Sequence, residues 1–128
     1  MSERIRVAVI DNHPLFRDGL VTTVNDTDEF EVVAQGASGS DAVYIARQLL
    51  PDIMLLDANM PAGGIEAARQ ISKCCPSVKT VMLTSLEGTE HMAAAREAGA
   101  SFCLTKGISA DELLGTLLSV HSEPAGPA

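Results

Sequence analysis

Four short apolar runs in this chain each stop at a residue that can do chemistry. "IRVAVI" (5–10) is followed by Asp11 and Asn12, and "DIMLL" (52–56) by Asp57. "TVMLT" (80–84) ends in Thr84, and "SFCLT" (101–105) runs into Lys106. Two carboxylates, an amide, a hydroxyl and an ammonium form a useful set if the fold brings them together. Neighbouring carboxylates repel unless a cation lies between them. A hard divalent ion, Mg²⁺ or Mn²⁺, takes oxygen ligands, and Mg²⁺ keeps waters that leave positions for phosphate oxygens. A carboxylate can itself be the nucleophile and become an aspartyl phosphate. Phosphoryl transfer then asks for little beyond positioning and neutralised charge. Lys106 would pair with one phosphate oxygen and Thr84 would offer its hydroxyl to another. A single Asp after a strand is ordinarily a turn or cap residue, so the reading rests on the joint placement of all five.

The elements that must position them are legible. The four runs, with "FEVVA" (30–34), are continuous rather than alternating, as expected of strands covered on both faces. Helical spacing fills the gaps. Leu15, Phe16, Leu20 and Val24 form a stripe after Pro14, a favoured first helical residue. Val43, Ala46, Leu49 and Leu50 form a second, opened by Ser38 with Asp41 three residues on. Leu113, Leu114, Leu117 and Leu118 form a third behind the capping box "SADE" (109–112), and Gly99 is placed to end the helix containing "HMAAAREA". Strand and helix alternate five times. This predicts an α/β fold, a doubly wound five-stranded parallel sheet of order 2-1-3-4-5 in a flavodoxin-like arrangement. In that architecture the carboxyl ends of the strands share one edge, and the crevice opens where strands 1 and 3 diverge. Asp57, at the end of the central strand, is the natural acceptor.

Composition narrows the class. The 128 residues suit one domain, and 46% apolar content opposes disorder over most of the length. No run approaches the roughly 20 apolar residues of a membrane helix, and the start reads as a strand rather than a signal peptide. A cytoplasmic protein with no membrane partner is expected. Nine basic against seventeen acidic residues, a net charge of −8, oppose direct nucleic-acid binding. Cys74, Cys75 and Cys103 include no CxxC pair, and His13, His91 and His121 are scattered. Reduced thiols are expected rather than a zinc site. The tail "SEPAGPA" (122–128) reads as a linker or frayed end.

These residues resemble a known family. The chain is similar over about residues 4–121 to the response-regulator receiver domain of bacterial two-component signalling. The match is carried by Asp11-Asn12, the "DANMP" block (57–61), Thr84 and Lys106. "DNHPLFRDGL" (11–20) further resembles the LuxR (NarL/FixJ) subfamily. The resemblance implies that residues 1–121 are a receiver and that 122–128 lead to a C-terminal helix-turn-helix domain absent from this chain. DNA would be contacted only through that domain, in the service of transcription regulation. It implies that Asp57 accepts a phosphoryl group from the phosphohistidine of a cognate sensor histidine kinase. Asp11, Asp57 and the backbone carbonyl of Asn59 would hold Mg²⁺, and Thr84 and Lys106 would bind the phosphoryl group. The fourth helix, fifth strand and fifth helix would signal to partners, a second copy in a homodimer among them.

Three departures matter. Asn12 replaces the second acid of the usual pair, so an ion there loses one negative ligand. Cys103 stands where many relatives carry Tyr or Phe. Phe102 beside it cannot substitute, because neighbouring strand residues point to opposite faces. The loop "MPAGGIE" (60–66) is one residue shorter than the common form.

Other classes fit less well. A haloacid-dehalogenase-type phosphatase needs a second Asp two residues after the nucleophile, where this chain has Asn59. A flavin-binding protein needs a Gly/Ser/Thr phosphate cradle after strand 1, where this chain has "DNHP". The leading expectation is a phosphorylation-switched module rather than a turnover enzyme. The rival, raised by Asn12, is a degenerate receiver that binds partners without being phosphorylated.

Overall fold

The computed structural model describes residues 3–60, 63–85 and 89–123. Pro61 of the "DANMP" block and most of the expected tail (124–128) lie outside the described residues. Strands β1 (Ile5–Ile10), β2 (Phe30–Gly36), β3 (Ile53–Asp57), β4 (Lys79–Thr84) and β5 (Phe102–Thr105) alternate with helices. These are α1 (Pro14–Asn25), α2 (Gly39–Leu49), α3 (Gly64–Cys74), α4 (Thr89–Glu97) and α5 (Ala110–Ser122). All strand pairs are parallel, and the order is β2-β1-β3-β4-β5, as the alternation predicts.

Residues along each strand divide between two apolar layers. Ala8, Ile10, Met54, Leu56 and Met82 pack with α2, α3 and α4 residues such as Ala46, Ile71 and Ala95. Val7, Val9, Ile53, Leu55, Val81 and Leu83 pack with Leu20, Val24, Leu113 and Leu117 of α1 and α5. Two covered faces explain why the central strands show no polar alternation.

The caps follow their sequence signals. The Ser38 hydroxyl accepts from the Asp41 amide at 3.1 Å, and Asp41 reaches back to accept from the Ala37 amide at 2.9 Å. Ser109 accepts from the Glu112 amide at 3.1 Å. Gly99 ends α4 at φ +101, where an added Cβ would lie 2.8 Å from the Ser72 side chain.

Some expectations need correction. Leu15 leaves the predicted core stripe and is 89% exposed, whereas Leu20 and Val24 are buried. Leu49 and Leu50 are also exposed, and Ala42 and Ile45 fill the α2 interface instead. Helix α5 runs through Ser122, so the tail begins one residue later than expected. Lys79 holds that end of α5 by donating to the carbonyls of Val120, His121 and Glu123. The cysteines are free thiols.

Leu50 caps α2 in the left-handed region at φ 45, a conformation that costs a non-glycine residue about 1–2 kcal/mol. The Arg6 guanidinium holds the turn by donating to the carbonyls of Leu49 (2.9 Å) and Leu50 (3.1 Å). Leu50→Gly removes the conformational cost and gives up a half-exposed side chain. Urea unfolding of this variant is expected to show a gain of about 0.5–1 kcal/mol. A loss would mean that the Leu50 side chain contributes more than its backbone costs.

Candidate functional site

The site lies at the carboxyl edge of the sheet, and backbone pairing continues past the strand ends to hold it there. The Asp11 amide donates to the Gly36 carbonyl (3.0 Å), Ala58 to Leu83 (2.9 Å) and Lys106 to Thr84 (2.8 Å). Asp57 is the last residue of β3, opposite Leu83. The turn after β1 is tied down by Arg17 of α1, which donates to the Asp11 carbonyl at 2.7 Å.

Asp11 and Asp57 are both 0% exposed. The Lys106 ammonium bridges them, 3.2 Å from Oδ2 of each. Below it lies the Phe16 ring, its centroid 4.8 Å from Nζ, close enough for the ring quadrupole to favour the cation. The second oxygen of each carboxylate organises its own turn. Asp57 Oδ1 accepts from the Asn59 amide at 2.9 Å, and Asp11 Oδ1 accepts from the His13 amide at 2.8 Å.

The expected residues are only partly gathered. Asp11, Asp57 and Lys106 form one ion-paired cluster. Asn12 stands beside it with its side-chain oxygen buried and without a hydrogen-bond partner. Thr84 is buried, and its hydroxyl donates to the Ser85 carbonyl at 3.2 Å rather than standing free for a ligand. Asn59 is exposed and contributes its amide to Asp57. Cys103 is half-buried against the α2–α3–α4 layer, and burial pushes its thiol up from the ordinary range. Phe102, on the opposite face, is 49% exposed.

His13 is a member that the sequence reading missed. Its Nδ1 lies 3.0 Å from Asp11 Oδ1, 3.8 Å from Asp57 Oδ2 and 3.5 Å from Lys106 Nζ. The available signal was its position, two residues after Asp11 and immediately before the Pro that opens α1.

Two buried carboxylates face one ammonium, so with His13 neutral the cluster carries surplus negative charge. Asp11 Oδ2 and Asn12 Oδ1 are buried oxygens that accept no hydrogen bond, although Lys106 sits within ion-pair range of the former. Such a charge beside the buried, unpartnered Asn12 oxygen fits a hard divalent cation.

Helix α3 starts hard against the end of β3. Gly63 takes φ +74, and its amide donates to the Met60 carbonyl at 3.1 Å. A Cβ on Gly64 would overlap the Asp57 carbonyl oxygen and lie 3.0 Å from the Ala58 Cα. Both obstacles are backbone, so neither can rotate away.

Two outcomes follow from this geometry. Gly64→Ala is expected to destabilise by about 1–3 kcal/mol, the usual scale of overpacking, and to shift the Asp57 and Ala58 amide resonances. Unchanged stability and spectra would show that α3 can withdraw freely. Lys106→Met leaves the carboxylates uncompensated. The cost is expected to fall below the roughly 3–5 kcal/mol of a fully buried broken pair, because Lys106 keeps some contact with water. Added Mg²⁺ should raise the melting temperature of Lys106→Met by more than that of the unaltered protein, measured by calorimetry.

Comparisons with known proteins agree with the fold. The family model described as the response regulator receiver domain matches residues 7–118. The chain is 36% identical over 119 residues to the transcriptional regulatory protein LnrK of Bacillus subtilis, covering 92% of this chain and 54% of that protein. It is 35% identical over 119 residues to the response regulator GacA of Pseudomonas aeruginosa, covering 92% and 56%. The chain thus spans about half the length of these curated relatives. Among solved structures, it superposes on the signal receiver domain of NarL from Mycobacterium tuberculosis with a TM-score of 0.91, at 27% identity. That match covers 96% of this chain and all of the other. A LuxR-family two-component response regulator from Aurantimonas gives 0.88 at 30% identity, covering 94% and 86%.

Proposed function

The chain belongs to the response-regulator receiver family, and from that premise we propose that Asp57 is its phosphoacceptor and that Asp11 and Lys106 complete the reactive site. The observation that carries this is the buried Asp11–Lys106–Asp57 cluster at the carboxyl edge of the sheet. The donor is a phosphohistidine of a sensor histidine kinase. The phosphorus–nitrogen bond to imidazole breaks as an Asp57 oxygen bonds to phosphorus.

This chain's residues divide the work. The Asn59 amide holds one Asp57 oxygen, so the other, which faces Lys106, is the nucleophile. Lys106 stays close enough to move from the carboxylate to a phosphoryl oxygen. Thr84 must turn its hydroxyl away from Ser85 to meet another. Asp11 and Asp57, with Asn12 and the Asn59 carbonyl as neutral oxygen donors, would hold Mg²⁺ or Mn²⁺. The ion supplies charge neutralisation for the transferring group.

A cleft of about 240 Å³ beside Lys106 is lined by Leu15, Phe16, Leu20, Ile108 and Leu113. With exposed Leu15 at its rim, it offers an apolar seat for the kinase's histidine-bearing helix. Output passes to a C-terminal DNA-binding domain, in keeping with relatives about twice as long that are named transcriptional regulators. The receiver itself, residues 1–121, acts as a regulatory module. Cys103 is too small to sweep much surface by changing rotamer, so helix displacement or dimer contacts carry the signal.

The test is intact-mass measurement after incubation with an acyl phosphate and Mg²⁺. One phosphoryl adduct is expected, lost on chelation of the metal beforehand and absent in Asp57→Asn. An adduct of equal yield in Asp57→Asn would misplace the acceptor. No adduct in the unaltered protein would favour a receiver that acts without phosphorylation.

A further inference from the structure

His13 is placed to alter which ion this site prefers. We propose that His13 adds an imidazole nitrogen to the carboxylate oxygens, giving a mixed donor set that favours borderline ions such as Ni²⁺ and Co²⁺ relative to Mg²⁺. This rests on the reading of Asp11 and Asp57 as ion ligands.

Four observations carry it. One oxygen of Asp11, one of Asp57 and a His13 ring nitrogen all lie within 4.8 Å of one another. The separation of 3.0 Å between His13 Nδ1 and Asp11 Oδ1 suits adjacent donors on one ion. Two donors about 2.1 Å from an ion and at right angles to each other are about 3.0 Å apart. His13 is the N-cap residue of α1, yet its side chain makes no capping hydrogen bond, so ligation costs the helix nothing. Asn12 brings a neutral oxygen, buried and without a partner, where another acid would have favoured a hard ion.

The chemistry of the donors sets the direction. Mg²⁺ prefers carboxylate, carbonyl and water oxygens, and gains little from imidazole. Ni²⁺ and other later first-row ions bind imidazole well. Losing an acid while gaining a nitrogen therefore moves preference away from Mg²⁺. In the tautomer that carries its proton on Nε2, His13 would turn the Nδ1 lone pair toward an ion held by the carboxylates. Lys106, now balancing both acids, would yield its place as the ion arrives.

Calorimetric titration of the chain with Ni²⁺ and separately with Mg²⁺, at one pH in a non-coordinating buffer, tests this. The unaltered protein, His13→Gln and Asp57→Asn are compared. His13→Gln is expected to weaken Ni²⁺ binding about 10–100-fold, the scale on which metal sites respond to loss of a supporting group. Its Mg²⁺ affinity should fall far less than its Ni²⁺ affinity, and Asp57→Asn should weaken both. Three results would overturn the inference alone. They are Ni²⁺ affinity unaffected by His13→Gln, an equal loss for both ions in that variant, or Ni²⁺ binding untouched by Asp57→Asn. Failure of both ions to bind the unaltered protein would instead remove the underlying ion-site reading.

Discussion

Two aspartates with no solvent contact cannot share a sheet edge without a positive charge, and Lys106 provides it. Its ammonium stands 3.2 Å from each carboxylate. Much of the surrounding structure keeps the three in register. The Lys106 amide is paired to Thr84, Ala58 to Leu83 and Asp11 to Gly36, so each functional side chain hangs from backbone the sheet has already ordered. Such a buried cluster is weak as a source of stability, because desolvating the charges offsets much of their attraction. The two apolar layers offset its cost.

The same constraint explains the neighbouring backbone. Asp57 can be central only if the chain turns sharply after it, and its own side chain helps by accepting the Asn59 amide. Helix α3 then starts so close to this turn that position 64 has room for nothing larger than glycine. On the other flank, Arg17 and the His13 amide fix the turn that carries Asp11. Phe16 lies beneath Lys106 and links the charged cluster to the apolar cleft along α1. A phosphoryl group entering this cluster, as we propose, would compete with the two carboxylates for Lys106.

The sheet order was legible because continuous apolar runs alternate with helical stripes, and parallel crossovers then admit few arrangements. Asp11, Asp57 and Lys106 were legible for the same reason, since strand-end position alone brings them to one edge. Asn59 needed the family resemblance. Leu15 and His13 were not legible. Periodicity marks which residues could be buried, but it does not show that Leu15 meets solvent or that His13, the N-cap of α1, reaches the carboxylates. The hydroxyl direction of Thr84 and the left-handed turn at Leu50 depend on a rotamer and on a contact from Arg6, neither of which leaves a pattern in sequence.

The most direct measurement is a crystal structure of the chain grown with Mn²⁺ and beryllofluoride, a phosphoryl mimic, with anomalous scattering used to place the metal. The site derived from the buried cluster requires beryllium bonded to an Asp57 oxygen, Lys106 turned onto a fluoride, and a manganese peak against Asp11 and Asp57. Beryllium on another side chain, or manganese away from both aspartates while Lys106 keeps its bridge, would contradict it.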